Sequence, residues 1–173
     1  MPLYNKYPRL PAEYYLGRRI YFVTICSAER RPIFTEPSIG RGTLDKLIEV
    51  AAQHAFSLHS YCLMPDHLHF VAEGATDASD LVKFVHLFKQ LTGYKYRQAY
   101  NRQLWQTRFY DHIVRSADDL NAMLCYVWMN PVRKGLCAEP SLYPLSGSQT
   151  VEWMKKSITG SSWLPPWKKP QPG

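Results

Sequence analysis

No run of about eighteen apolar residues occurs in this 173-residue chain, so no segment has the length and hydropathy of a membrane-spanning helix. The opening residues, MPLYNK, lack the apolar centre of a secretory leader. Cysteine is sparse. Cys26, Cys62, Cys125 and Cys137 are widely scattered and form no Cys-x-x-Cys pair, which argues against a zinc ribbon. They read as reduced, mostly buried thiols of a cytoplasmic protein. Internal repeats are absent. What is present is apolar mass: 46% of residues are hydrophobic, enough for one domain to build a core without covalent staples. Residues 1–142 read as that domain. Residues 143–173 change composition to Pro, Gly and Ser, with Trp153, Trp163 and Trp167 among lysine pairs, and read as a loosely docked or poorly ordered tail.

The formal charge of +7 is unevenly placed. Residues 1–82 carry eight basic and nine acidic side chains, and residues 116–173 carry six and four. Residues 83–115 carry seven basic side chains against one acidic, a local net of +6. Those seven are Lys83, Lys89, Lys95, Arg97, Arg102, Arg108 and Arg115. Tyr94, Tyr96, Tyr100, Trp105, Phe109 and Tyr110 are interleaved with them. Cations neutralise phosphates and aromatic faces stack on unpaired bases, so this stretch is a candidate nucleic-acid surface. A solvated helix face beside ordinary core aromatics gives the same pattern.

Periodicity gives a coarse fold. Residues 19–27 (RIYFVTICS) are β-branched and aromatic and read as a strand. Residues 43–56 repeat apolar positions at helical spacing after a loop over 32–42. Residues 57–63 and 67–73, joined by Pro65-Asp66, read as a hairpin. Residues 79–96 read as a second helix, weakened at Gly93, and 107–115 as a fourth strand. A third helix starts after Ser116 as N-cap and is ended near Asn130 by Pro131. The order β-α-β-β-α-β plus a helix is the ferredoxin-like layout in the α+β class, an antiparallel sheet with two helices on one face.

The sharpest motif is Met64-Pro65-Asp66-His67-Leu68-His69-Phe70. Residues two apart on a strand point the same way, so His67 and His69 share a face. Two imidazoles on a rigid strand form a bidentate seat for a divalent cation. Two ligands are too few for a closed structural site and suit an open catalytic one. A lone His-x-His is more often two packed or surface histidines. On the third helix, Tyr126 and Asn130 are i, i+4 neighbours flanking the apolar stripe of Leu120, Met123, Leu124 and Val127. A tyrosine on a helix flank is commonly structural, and Asn130 equally suits a C-terminal cap.

Taken together, these pieces resemble a known family. The histidine pair resembles the His-hydrophobic-His motif of the HUH endonuclease superfamily. Residues 126–136 (YVWMNPVRKGL) resemble the tyrosine helix of the Y1 transposases related to IS200. Residues 105–115 (WQTRFYDHIVR) resemble the strand before that helix. The likeness spans residues 19–136 in order and points to the REP-associated tyrosine transposase group. It implies that Tyr126 is the nucleophile and that His67 and His69 bind Mg²⁺ or Mn²⁺, with Asn130 as candidate third ligand. It also implies cleavage of single-stranded DNA near hairpins through a 5′-phosphotyrosine, freeing a 3′-hydroxyl without ATP. The long Pro/Trp-rich end departs from the family pattern. Monomer and homodimer both stay open. The rival expectation is a non-catalytic single-strand nucleic-acid-binding module on the same fold. Against it, the third strand presents histidines where such modules present aromatics.

Overall fold

The computed structural model describes residues 9–116, 118–155 and 162–170. Five strands form one antiparallel sheet: β1 (Ile20–Cys26), β2 (Phe56–Met64), β3 (His67–Gly74), β4 (Tyr110–Ile113) and β5 (Ser146–Gly147), in the order β4-β1-β3-β2-β5. Three helices accompany it: α1 (Pro37–Gln53), α2 (Leu81–Tyr100) and α3 (Leu120–Arg133). The ferredoxin-like expectation is met. No helix among the described residues is long and apolar enough to cross a membrane.

Strand alternation divides the sheet into two faces. Residues paired directly across antiparallel strands share a face. Val23, Ile25, Leu58, Leu63, Leu68, Phe70 and Ala72 point to one side, where the stripes of α1 and α2 bury them with Leu44, Leu47, Phe84 and Phe88. Phe22, Cys62, Met64 and Val71 point to the other side, where α3 covers them with Met123, Tyr126, Val127 and Trp128. β1 is therefore a nearly continuous apolar run, and β1 and β3 are both buried on two faces, β3 with its two histidines among the buried residues.

Several boundaries differ from the sequence expectation, each for a local reason. The first helix starts at Pro37, not at residue 43. Proline fits the first helical turn, and Gly40 lets Leu145 and the Phe34 carbonyl approach, since a Cβ there would lie 2.9 Å from Leu145 Cδ1 and 3.3 Å from the Phe34 oxygen. α2 runs through Gly93 to Tyr100, where Asn101 caps it in the left-handed region (φ 51°). The fourth strand is shorter, four residues, and α3 is capped by Asp119, which accepts from the Ala122 amide, rather than by Ser116. Pro131 lies inside the last turn of α3, so Asn130 is a buried helical residue and not a cap.

The described residues that follow Leu142 pack against the sheet and α3. Tyr143 donates to the Leu63 carbonyl at 2.8 Å, β5 pairs with β2, and Trp128 Nε1 donates to the Gly147 carbonyl at 3.1 Å. Trp153 stacks on Trp128 with ring centroids 5.5 Å apart. Tyr143, Val151, Trp153, Trp163 and Trp167 pack with the cluster on the α3 face of the sheet. The lysine pair at 155–156 falls partly among residues outside the described set.

Candidate active site beneath the third helix

His67 and His69 occupy the α3 face at one end of β3. Their placement follows from register: His67 pairs with Cys26 and Met64, and His69 with Thr24 and Cys62. Both imidazoles are buried, at 4% and 1% exposure, and their Nε2 atoms face each other at 3.0 Å. Each outer nitrogen is committed. His67 Nδ1 is 2.6 Å from Asp66 Oδ1, and His69 Nδ1 is 2.7 Å from Thr24 Oγ1. Asp66 in turn pairs with Arg30 Nε at 2.9 Å. Partners on Nδ1 fix ring orientation and aim both Nε2 atoms at one point.

Burial holds the His67 imidazole below its usual range, against the pull of the Asp66 carboxylate. Burial holds His69 well below it, reinforced by the positive charge of His67, Lys168, Arg133 and Arg30. Both shifts favour the neutral imidazole, the form that binds a cation. The hydrogen bond from His67 keeps the Asp66 carboxyl below its usual range despite desolvation.

α3 delivers Tyr126 to the same place. Its ring lies 5.8 Å from that of His69 and 5.9 Å from Phe22, both edge-on. Arg133, two turns on, donates to the Tyr126 carbonyl at 2.6 Å and stacks its guanidinium 4.2 Å over the ring. The C-terminal segment closes over the top. Lys168 Nζ donates to the Tyr126 hydroxyl at 3.0 Å, and Trp163 packs edge-on against Tyr126 at 5.3 Å and Phe22 at 4.9 Å. Tyr126 is only 3% exposed in this arrangement.

Among the described residues no three His, Cys, Asp or Glu side chains cluster as a metal site. The donors that remain suit an open divalent site nonetheless. A 3.0 Å separation of Nε2 atoms is the bite of two nitrogen ligands at about 2.1 Å held near a right angle. Asn130, one turn beyond Tyr126, is 2% exposed, and its Nδ2 has no hydrogen-bond partner. A half-turn of that amide exchanges Nδ2 for Oδ1, a hard oxygen donor.

The seven cations singled out by sequence are not brought together. Arg108 and Arg115 flank β4 and line a cleft along that edge strand. Arg102 lies in the loop whose Trp105 bridges Ser27, at the His67 end of the sheet. Lys83, Lys95 and Arg97 ride on α2, over the opposite face. Lys89 is turned inward and donates to the Gln106 and Thr107 carbonyls at 2.8 and 2.9 Å. Sequence reasoning missed Thr24, Arg30, Arg133 and Lys168. Asp66 was legible as the neighbour of His67, and Arg133 as the same-helix cation seven residues from Tyr126. Thr24 and Lys168 reach the site only through register and chain return.

The chain matches the family model described as "Transposase IS200 like" over residues 17–129, a span that holds His67, His69 and Tyr126. It is 26% identical over 138 residues to a REP-associated tyrosine transposase of Escherichia coli, covering 77% of this chain and 78% of that protein. It is 27% identical over 140 residues to a Haemophilus influenzae protein provisionally assigned to the same group, covering 73% and 78%. The fold is shared with a solved REP-associated tyrosine transposase bound to a REP hairpin, at a TM-score of 0.65 and 22% identity over 82% of this chain and 81% of that one. With the family match spanning well over half of its length, the chain belongs to the IS200-like transposases, DNA endonucleases of the HUH type.

Proposed function

We propose that this enzyme cuts and rejoins single-stranded DNA beside hairpin-forming repeats, with Tyr126 as the nucleophile. The observation that carries the reading is the convergence of Tyr126 with both histidines on one face of the sheet, its ring 5.8 Å from that of His69. His67, His69 and Asn130 would hold the divalent cation, Mg²⁺ or Mn²⁺. Bound there, the cation supplies Lewis-acid polarisation of a phosphate oxygen.

The Tyr126 oxygen attacks phosphorus, the bond from phosphorus to the 3′ oxygen breaks, and a 5′-phosphotyrosine forms. The phenol loses its proton to solvent and the departing 3′ oxygen takes one up. Arg133 fixes the ring from one face and His69 from its edge, which holds the oxygen in line. The phosphotyrosine conserves the cleaved bond's energy, so attack by another 3′-hydroxyl rejoins DNA without ATP. The phosphate reaches Tyr126 only when residues 162–170 withdraw from the position in which Trp163 and Lys168 cover it.

The REP hairpin held by the solved relative makes a stem-loop with single-stranded flanks the substrate to try first. Incubation with such a labelled DNA and Mn²⁺ yields a denaturation-resistant protein–DNA adduct in the wild-type chain. Tyr126→Phe abolishes the adduct and keeps hairpin binding, and EDTA abolishes it in wild type. Adduct formation by Tyr126→Phe, or indifference to EDTA, overturns the reading. Binding without any adduct under all conditions favours the non-catalytic module.

A further inference from the structure

The two histidines are braced unequally. His69 lies inside β3, and its partner Thr24 lies inside β1, the strand beside it. His67 opens β3, and its partner Asp66 belongs to the turn between β2 and β3. A side chain on a turn is held less firmly than one inside a sheet, so the Asp66 carboxylate needs a second anchor. Arg30 supplies it. Its Nε donates to Asp66 Oδ2 at 2.9 Å, while Asp66 Oδ1 accepts from His67 Nδ1 at 2.6 Å. Its Nη1 donates to Cys26 Sγ at 2.8 Å, and Cys26 is the residue paired with His67 across β1 and β3. One guanidinium thus grips both the chain neighbour of His67 and its cross-strand neighbour.

The backbone that delivers Arg30 is strained. Glu29 and Arg30 stand in succession in the left-handed region, at φ 57° and 55°, where residues with a side chain are uncommon. Such strain persists where the surroundings over-determine it, and it clusters at functional sites. Here the turn is bolted to its neighbours. The Ser27 amide donates to the Asp66 carbonyl at 2.9 Å, the Phe34 amide to the Pro65 carbonyl at 3.0 Å and the Ala28 amide to the Leu104 carbonyl at 2.8 Å. Folding stability does not account for the ion pair. Its side chains are 50% and 26% exposed, and pairs this open to water contribute little.

We propose that Arg30 is a positioning residue of the cation seat: by holding Asp66 it fixes the His67 imidazole and so sets how tightly the seat binds a divalent cation. This rests on the proposed function, which places the cation on His67 and His69. A carboxylate held at one oxygen still swings about its side-chain torsion, and the imidazole bonded to it swings too. Held at both oxygens, it leaves His67 Nε2 one direction, toward the point that His69 Nε2 also faces.

The test measures Mn²⁺ binding to the full chain directly, without DNA, from the electron paramagnetic resonance signal of the free ion. Arg30→Gln is expected to weaken binding about tenfold, the lower end of what outer partners of ligating histidines contribute. Arg30→Lys keeps a cation for Asp66 and recovers part of that loss. Asp66→Asn weakens binding as well, and adding Arg30→Gln to it costs nothing more, because the two act in series. Hairpin affinity in EDTA stays at the wild-type value in all of them. Wild-type Mn²⁺ binding by Arg30→Gln overturns the proposal. So does a full further loss when Arg30→Gln is added to Asp66→Asn, which would make Arg30 a support of the turn alone. Weakened hairpin binding with Mn²⁺ binding intact assigns Arg30 to the DNA backbone and also overturns it, leaving the proposed function standing. Failure of wild type to bind Mn²⁺ sinks the cation seat and this proposal together.

Discussion

The Tyr126 hydroxyl accepts a hydrogen bond from the Lys168 ammonium at 3.0 Å, so the proposed nucleophile is held by a residue 42 positions further along the chain. That bond and the packing of Trp163 on Tyr126 and Phe22 occupy the space in front of the phenol. DNA must displace both. An aromatic pair contributes about 1 kcal/mol beyond its buried area, and 1.4 kcal/mol is tenfold in rate. Lys168→Ala combined with Trp163→Ala is therefore expected to raise the initial rate of adduct formation roughly tenfold. A gel time course at fixed DNA and Mn²⁺ reads it. A slower rate would show instead that Lys168 assists the attack.

Thr24 holds His69 through Nδ1 at 2.7 Å. Partners of ligating histidines typically contribute 10–100-fold to metal affinity. Thr24→Val preserves shape and removes the hydroxyl. The expected result is a roughly tenfold higher Mn²⁺ requirement for adduct formation with hairpin affinity unchanged. Equal Mn²⁺ titrations for the two proteins would remove Thr24 from the site.

Much of this was legible in the sequence because the relevant periodicities are short. The His-x-His pair on a strand and Tyr126 with Asn130 on a helix follow from periods of two and 3.6. The β-α-β-β-α-β element order carried the ferredoxin-like layout, but the fifth strand, which pairs with β2, had no signal in the sequence. Charge clustering was less informative. Lys89 counts as a surface cation by sequence, but its ammonium is committed to two backbone carbonyls. The contacts of Lys168 and Trp163 were illegible, since a Pro-rich return across more than thirty residues leaves no periodic signal. Trp153 was misleading for the same reason: its partner, Trp128, is distant in sequence.

Lys89 also gives a pH prediction. Burial lowers its pKa from 10.5 to about 8. Between pH 8 and 10.5 the unfolded chain binds the proton that the folded chain has released, so folding stability contributed by this group rises with pH. Below pH 8 both states are protonated and the contribution is constant. Tyr15 and Tyr21, pushed up to about 12 by burial, act oppositely only above pH 10. Urea midpoints measured from pH 7.5 to 9.5 should therefore climb relative to those of Lys89→Met. Parallel profiles for the two proteins would mean that the ammonium is not desolvated.

Asn130 separates stability from function most sharply. Its amide is buried beside the tyrosine turn with Nδ2 unpartnered, and an unsatisfied buried polar group costs about 1–3 kcal/mol. Asn130→Leu keeps the branched shape and the number of side-chain heavy atoms and removes that cost, so the metal-free variant should unfold at higher urea than wild type wherever the larger methyls are accommodated. If the amide oxygen is a cation ligand, the same variant should need far more Mn²⁺ to form adduct. Asn130→Asp should do the reverse: a buried carboxylate destabilises the metal-free chain, and a charged oxygen binds the cation more tightly. Opposite movements of stability and Mn²⁺ requirement in the two variants identify Asn130 as a ligand. If Asn130→Leu stabilises the fold with no change in Mn²⁺ requirement, the third ligand lies elsewhere, because removing the only oxygen donor of a ligating side chain must weaken the cation site.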